Sequence, residues 1–139
     1  NTKPRAKLYQ HDSIELFIST EPRDANPGYG PNDHQYFITP TSGEGKPIFG
    51  ILTDREAGQV VDVNGSKLFA GKTGNGWVIE LALPWSALPG FKPDAGTKVA
   101  LELRVNDADT SHERWKIDPI DGNVRPEDPT VWSLLLLAE

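Results

Sequence analysis

The chain has 139 residues, enough for one ordinary domain with a single sizeable core. Its 20 acidic against 14 basic residues give a net charge of −6, which argues against nucleic acid or an anionic membrane as partner, since both demand clustered Lys and Arg. The absence of cysteine excludes disulfides, thiol chemistry and Cys-based zinc sites, and no apolar run approaches the ~20 residues that span a bilayer.

Methionine is also absent, even at the start, as expected of a sequence processed or excised from a longer polypeptide. Gly (13) and Pro (12) are abundant but spread in short clusters, the pattern of many short strands joined by turns. Residues 13–19 (SIELFIS) alternate, with Ile14, Leu16 and Ile18 on one side and Glu15 and Phe17 on the other. Residues 21–33, rich in Pro, Gly, Asn and Asp, form a long loop. A second strand is expected over 34–39, with Tyr36 and Ile38 facing away from Gln35 and Phe37. After a loop at 41–46, a short strand covers 48–53. Residues 60–63 and 66–69 flank Asn64-Gly65, a pair that tolerates the positive φ of a tight hairpin turn.

A loop at 71–76 precedes residues 77–83, where Trp77, Ile79, Leu81 and Leu83 alternate with Val78, Glu80 and Ala82. Residues 84–88 (PWSAL) read as one helical turn with Pro early in it, ended by Pro89-Gly90. Residues 99–106 are the clearest strand: Val99, Leu101, Leu103 and Val105 on one face; Ala100, Glu102, Arg104 and Asn106 on the other. A polar loop (107–111), a short strand (114–117), a long Pro/Asp/Gly loop (118–128) and a closing strand (130–138) complete the chain. No long helix, repeat or domain boundary interrupts this pattern. Residues 1–139 are read as one all-β domain, a two-sheet antiparallel β-sandwich of jelly-roll or immunoglobulin-like type.

Parity carries the functional reading. The second faces collect Glu15, Phe17, Gln35, Phe37, Glu80, Glu102, Arg104 and Asn106. On one sheet they would show solvent a surface of carboxylates, amides, a guanidinium and rings. Sugars are bound by such groups, because carboxylates and amides pair with hydroxyls and rings stack on C–H faces. Trp77 and Trp85 are expected in core or corner packing, whereas exposed Trp115 or Trp132 would be a sugar platform and buried ones core. Glu80 and Glu102 fit a salt-bridged sheet face better than a hydrolytic carboxylate pair. Asp107 and Asp109 can ligate calcium or simply stabilise a turn. His11, His34 and His112 show no metal-ligand spacing.

The segments QHDSIELFI (10–18), HQYFIT (34–39), GWVIELALPW (76–85), VNDAD (105–109) and DPTVWSLLLL (128–137) occur in that order and at that spacing in one family. The chain resembles carbohydrate-binding module family 9, part of the DOMON-like β-sandwich group, from about Tyr9 onward. The resemblance implies a sugar end held between two rings, with Tyr9 as one ring and Trp115 or Trp132 as candidates for the second. It places Glu15 at the family's sugar-reading Glu, and Gln35 on the strand that usually carries an Arg two residues later, where this chain has Phe37. Arg104 and Asn106 complete the candidate carbohydrate-binding set. The family also binds structural calcium, for which Asp107 and Asp109 are the candidates. Family members have further strands before the D-S-x-E strand, so a partner segment or a second subunit is expected at the N-terminal side.

The leading expectation is therefore a non-catalytic carbohydrate-binding module, extracellular or periplasmic and attached to a larger carbohydrate-active enzyme. The rival is a structural or interaction sandwich without sugar binding, to which the Phe37 departure points. A haem domain of the DOMON type needs axial His or Met. The chain has no Met and three scattered His.

Overall fold

The structure, a computed structural model, describes residues 8, 12–23, 25, 27–41, 45–54, 59–107, 115–117 and 128–138, with the backbone alone at 54, 59, 60 and 115–117. Alternating sequences become strands here for the expected reason: one side of each has a core to face. In chain order these are β1 (Ser13–Ser19), β2 (Asp33–Thr39), β3 (Ile48–Asp54), β4 (Gln59–Asp62), β5 (Lys67–Lys72), β6 (Trp77–Ala82), β7 (Lys98–Asp107), β8 (Trp115–Ile117) and β9 (Ser133–Leu136). Short 3-10 turns occupy Trp85–Ala87 and Pro129–Val131. The large sheet is seven-stranded, β4-β3-β2-β1-β7-β8 with β9 also on β7, while β5 and β6 form a separate two-stranded sheet. Every recorded pairing is antiparallel. The expected all-β sandwich is the fold.

The register explains the core. Leu16 lies opposite Tyr36 on β2 and Leu103 on β7, and Ile18 opposite Leu101. Leu16, Ile18, Tyr36, Ile38 and Phe49 make the centre of one face, with Leu68, Ile79 and Leu81 of the small sheet packed on it. Tyr36 stacks on Phe49, ring centroids 5.4 Å apart and planes 16° from parallel. Burying such side chains supplies roughly 1.5–3 kcal/mol each. On the opposite face Phe17, Ala100 and Trp132 form a second, smaller cluster. Nearly all of β1 and all of β2 are thus buried on both sides.

The long loop before β2 is tied down by charge. The Arg23 guanidinium grips Asp33 through two nitrogens, at 2.5 and 3.2 Å, and donates to the Gly28 carbonyl at 2.6 Å. Burial would raise the Asp33 carboxyl, but hydrogen bonds from Arg23, Gly30 and Ser19 outweigh it and hold it below the ordinary carboxylate value.

Three expectations need correction. Asn64-Gly65 does form a turn, with Gly65 at φ 78° and Ser66 N–H reaching the Val63 carbonyl at 3.4 Å. It is not a hairpin, because β4 pairs with β3 and β5 with β6. The turn passes the chain from one sheet to the other. The closing strand is shorter than 130–138, since Asp128 caps a 3-10 turn by accepting from Thr130 N–H at 3.0 Å and Pro129 starts it. Trp77 and Trp85 are half exposed rather than buried, although Trp85 lies against Phe91 with centroids 5.3 Å apart. Parity set the direction of Trp77, but at the start of β6 its ring stays half exposed.

Buried polar atoms in this core yield two predictions. The Tyr36 hydroxyl is buried with no hydrogen-bond partner among the described residues, and burial pushes its pKa up to about 12. Tyr36→Phe removes an unsatisfied hydroxyl, so chemical denaturation should find the variant equal to the parent or up to about 1 kcal/mol more stable. A loss above that range would show a hidden partner. His34 is buried and its pKa is lowered from 6.5 by burial, only partly offset by Asp33. A lowered histidine pKa contributes stability above the unfolded value, which is lost as pH falls through it; the lowered Asp33 acts in the same sense further down, below about 4. Melting between pH 7 and pH 5 should therefore fall less in His34→Gln than in the parent. Parallel curves would contradict this.

Candidate functional site

Alternation puts Ser13, Glu15 and Phe17 on the same side of β1. Glu15 lies opposite Phe37 on β2 and Arg104 on β7; Phe17 lies opposite Gln35 and Glu102; Ser13 lies opposite Asn106. The expected set Glu15, Gln35, Phe37, Arg104 and Asn106 therefore shares one face of the large sheet, the face away from β5 and β6. Glu80 does not join it. That residue is exposed on β6 in the other sheet, opposite Phe69, so Glu80 and Glu102 are no hydrolytic pair.

Glu15 is the centre of the arrangement. One carboxylate oxygen accepts from Gln35 Nε2 at 2.6 Å, the other from Asn106 Nδ2 at 2.8 Å. Asn106 Nδ2 also reaches Ser13 Oγ at 3.1 Å, and Ser13 Oγ donates to the Leu8 carbonyl at 3.1 Å. Two amide donors from the two neighbouring strands thus orient one carboxylate. Glu102 Oε1 accepts from the backbone N–H of Leu103 at 3.1 Å. A face with two carboxylates, two amides and the Arg104 guanidinium can accept from and donate to the hydroxyls of a polyol.

The face is covered, contrary to the expected solvent-facing wall. Glu15, Gln35, Phe37, Glu102, Arg104 and Asn106 are all buried. Period-two alternation says which side chains share a face, and says nothing of what lies above it. Phe17, Phe37 and Ala100 make this face partly apolar, and Trp132 lies on it rather than standing free. Its ring is 5.7 Å from that of Phe17 and 5.9 Å from that of Tyr29. Trp132 is core by the criterion of exposure. Tyr9 and Asp109 lie outside the described residues; of Trp115 only the backbone is described, at the start of β8 opposite Asp107. Ser13 escaped the sequence reading, though its place two residues before Glu15 assigned it to the same face.

Asp107 ends β7, half-buried. The described residues contain no group of three or more His, Cys, Asp or Glu side chains placed to hold a metal ion. One atom beside Asp107 does lack a partner: the buried Oδ1 of Asn106 has no hydrogen bond among the described residues.

Comparison with known proteins bears on the family and the fold. The family described as carbohydrate family 9 binding domain-like matches residues 1–139, and the chain belongs to it. It is 29% identical over 106 residues to an endo-1,4-beta-xylanase A of Thermoanaerobacterium saccharolyticum, covering 76% of this chain and 8% of that protein. It is 29% identical over 112 residues to the exoglucanase XynX of Acetivibrio thermocellus, covering 81% of this chain and 9% of that protein. The chain thus spans under a tenth of either relative. Among solved structures, a family 9 carbohydrate-binding module of Caldicellulosiruptor kristjanssonii in complex with glucose matches 97% of this chain and 63% of its own, at TM-score 0.69 and 20% identity. Its complex with cellotriose matches 99% and 63%, at 0.69 and 21%. These likenesses establish the sandwich.

The orientation of Glu15 depends on Asn106. Asn106→Leu leaves one buried carboxylate oxygen without its donor and should cost about 2–3 kcal/mol in denaturant unfolding, against under 1 kcal/mol for an exposed strand residue such as Lys72→Leu. A cost for Asn106→Leu no greater than that of the exposed control would mean the network holds nothing in place.

Proposed function

We propose that this chain is a non-catalytic module that holds the end of a sugar chain and belongs to a larger extracellular or periplasmic carbohydrate-active enzyme. The observation that carries the reading is the Glu15 carboxylate, fixed by Gln35 and Asn106 and set opposite Arg104 on one sheet face. Each oxygen accepts one amide proton and has further lone-pair capacity for a hydroxyl. Family membership supports a sugar as the ligand. Glucose and cellotriose in the Caldicellulosiruptor structures, and the xylanase and exoglucanase relatives, favour β-linked glucose or xylose. The module's task is then targeting: weak binding raises the local concentration of an attached enzyme on its substrate.

A structural calcium belongs to the same proposal. Asp107, with Asp109 further along the chain, supplies the hard carboxylate oxygens that calcium takes. The support is the acidic composition of the segment that leaves β7.

Burial of the Glu15 network and Phe37 in the place of the family's Arg favour a second reading, a sandwich that keeps the polar cluster as a structural part and binds no sugar. Calorimetric titration with glucose, xylose, cellotriose and xylotriose separates the two. The sugar reading expects saturable binding to at least one of them, weakened about tenfold or more by Glu15→Gln at unchanged fold, since a hydrogen bond to a charged group contributes about 1.5–3 kcal/mol. No heat across the panel would establish the structural reading. A chelator should lower the melting temperature, and Asp107→Ala should abolish that effect; an unchanged melting curve would dismiss calcium.

A further inference from the structure

The small sheet is a single hairpin. β5 and β6 pair from Lys67↔Ala82 to Lys72↔Trp77, which leaves Thr73, Gly74, Asn75 and Gly76 as its tip. One backbone bond closes the tip, from Thr73 N–H to the Gly76 carbonyl at 2.8 Å. All four tip residues are exposed. Asparagine is a labile residue, and it loses its amide most readily before glycine, which has no side chain to keep its nitrogen from the asparagine Cγ. The loss requires an unhindered Cγ, an unengaged N–H on the next residue, and freedom of the asparagine ψ to turn until the two meet. Asn75 meets these conditions. No hydrogen bond among the described residues engages the Gly76 N–H. A Cβ placed on Gly74 would find nothing within 4 Å, and one on Gly76 only Thr73 Oγ1 at 3.8 Å, so the backbone on both sides of Asn75 is in open space. The chain's other Asn-Gly pair is held. At Asn64-Gly65 the Ser66 N–H and the Ser66 Oγ both reach the Val63 carbonyl, the latter at 2.7 Å, and a Cβ on Gly65 would lie 3.5 Å from Pro84. Both pairs are exposed, so solvent access does not separate them; the hold on the backbone does.

We propose that Asn75 is a modification site, at which the folded chain deamidates itself in preference to Asn64. The Gly76 nitrogen forms a bond to Asn75 Cγ, the Cγ–Nδ2 bond breaks, and the Gly76 proton ends on the departing ammonia. The product is a cyclic imide, which water then opens. Opening at the side-chain carbonyl gives aspartate; opening at the backbone carbonyl gives isoaspartate, whose main chain runs through Cγ. Water is the sole co-reactant. Either product places a new carboxylate on the cleft of about 630 Å³ that Asn75 lines together with Trp77, Asp12 and Asp107. Isoaspartate also adds a backbone carbon to the hairpin tip.

The test ages the folded protein in mildly alkaline buffer and follows the peptides that hold Asn64 and Asn75 by mass spectrometry, with isoaspartate methyltransferase labelling the isoaspartate. In the native chain the Asn75 peptide should change from amide to acid several-fold faster than the Asn64 peptide. In urea that lead should shrink, because unfolding releases Asn64 from its turn. Gly76→Ala, a substitution in open space, should slow the reaction at Asn75 several-fold and leave the rate at Asn64 unchanged. Equal native rates at the two sites, or Asn64 the faster, would overturn the inference. So would a lead that persists undiminished in urea, since the preference would then lie in the neighbouring residues and not in the fold, or an Asn75 rate unmoved by Gly76→Ala. None of these readouts involves sugar, so this inference and the sugar reading fail independently.

Discussion

A carboxylate buried inside a sheet must be met by donors, or the fold carries a large desolvation penalty. Glu15 is such a group, and its donors come from both neighbours: Gln35 from β2 and Asn106 from β7. That requirement couples three strands. Slipping β2 or β7 by one residue would turn its amide to the opposite face and leave Glu15 unmet, while Ile38 or Leu101 would leave the apolar side. The polar network and the hydrophobic core thus demand the same register. The geometry of this face is set by the fold alone.

The same central strands explain why the sandwich has two unlike sides. Toward β5 and β6 the large sheet offers Leu16, Ile18, Tyr36 and Ile38, an ordinary core. On the other side Phe17 and Trp132 make an aromatic cluster next to the Glu15 network. Rings and polar groups side by side give this buried layer a mixed character. Toward β7 the apolar side outruns its cover. A narrow small sheet against a wide large one leaves Leu103 and Val105 half bare.

Much of this was legible in the residues. Alternation in 13–19, 34–39 and 99–106 predicted three central strands and assigned Glu15, Gln35, Phe37, Arg104 and Asn106 to one side, because side-chain direction in a strand is a local property. Burial is not local. Nothing in SIELFIS tells whether its Glu side meets water or a second layer, and the expectation of an open wall failed there. Asn64-Gly65 failed likewise: a turn is written in two residues, but which strands pair is decided by distant partners, and β4 and β5 joined different sheets. Trp77 pointed inward as its parity required, yet stayed half exposed, because coverage is decided by distant parts of the chain.

The central claim, that the amide-held carboxylate of Glu15 is what a sugar meets, is tested most directly by following the side-chain amide signals of Gln35 and Asn106 by NMR during titration with cellotriose. The account predicts that these two signals, with the Arg104 guanidinium, shift together and saturate at one ligand concentration. Saturable shifts confined to other residues, with Gln35 and Asn106 unmoved, would contradict it.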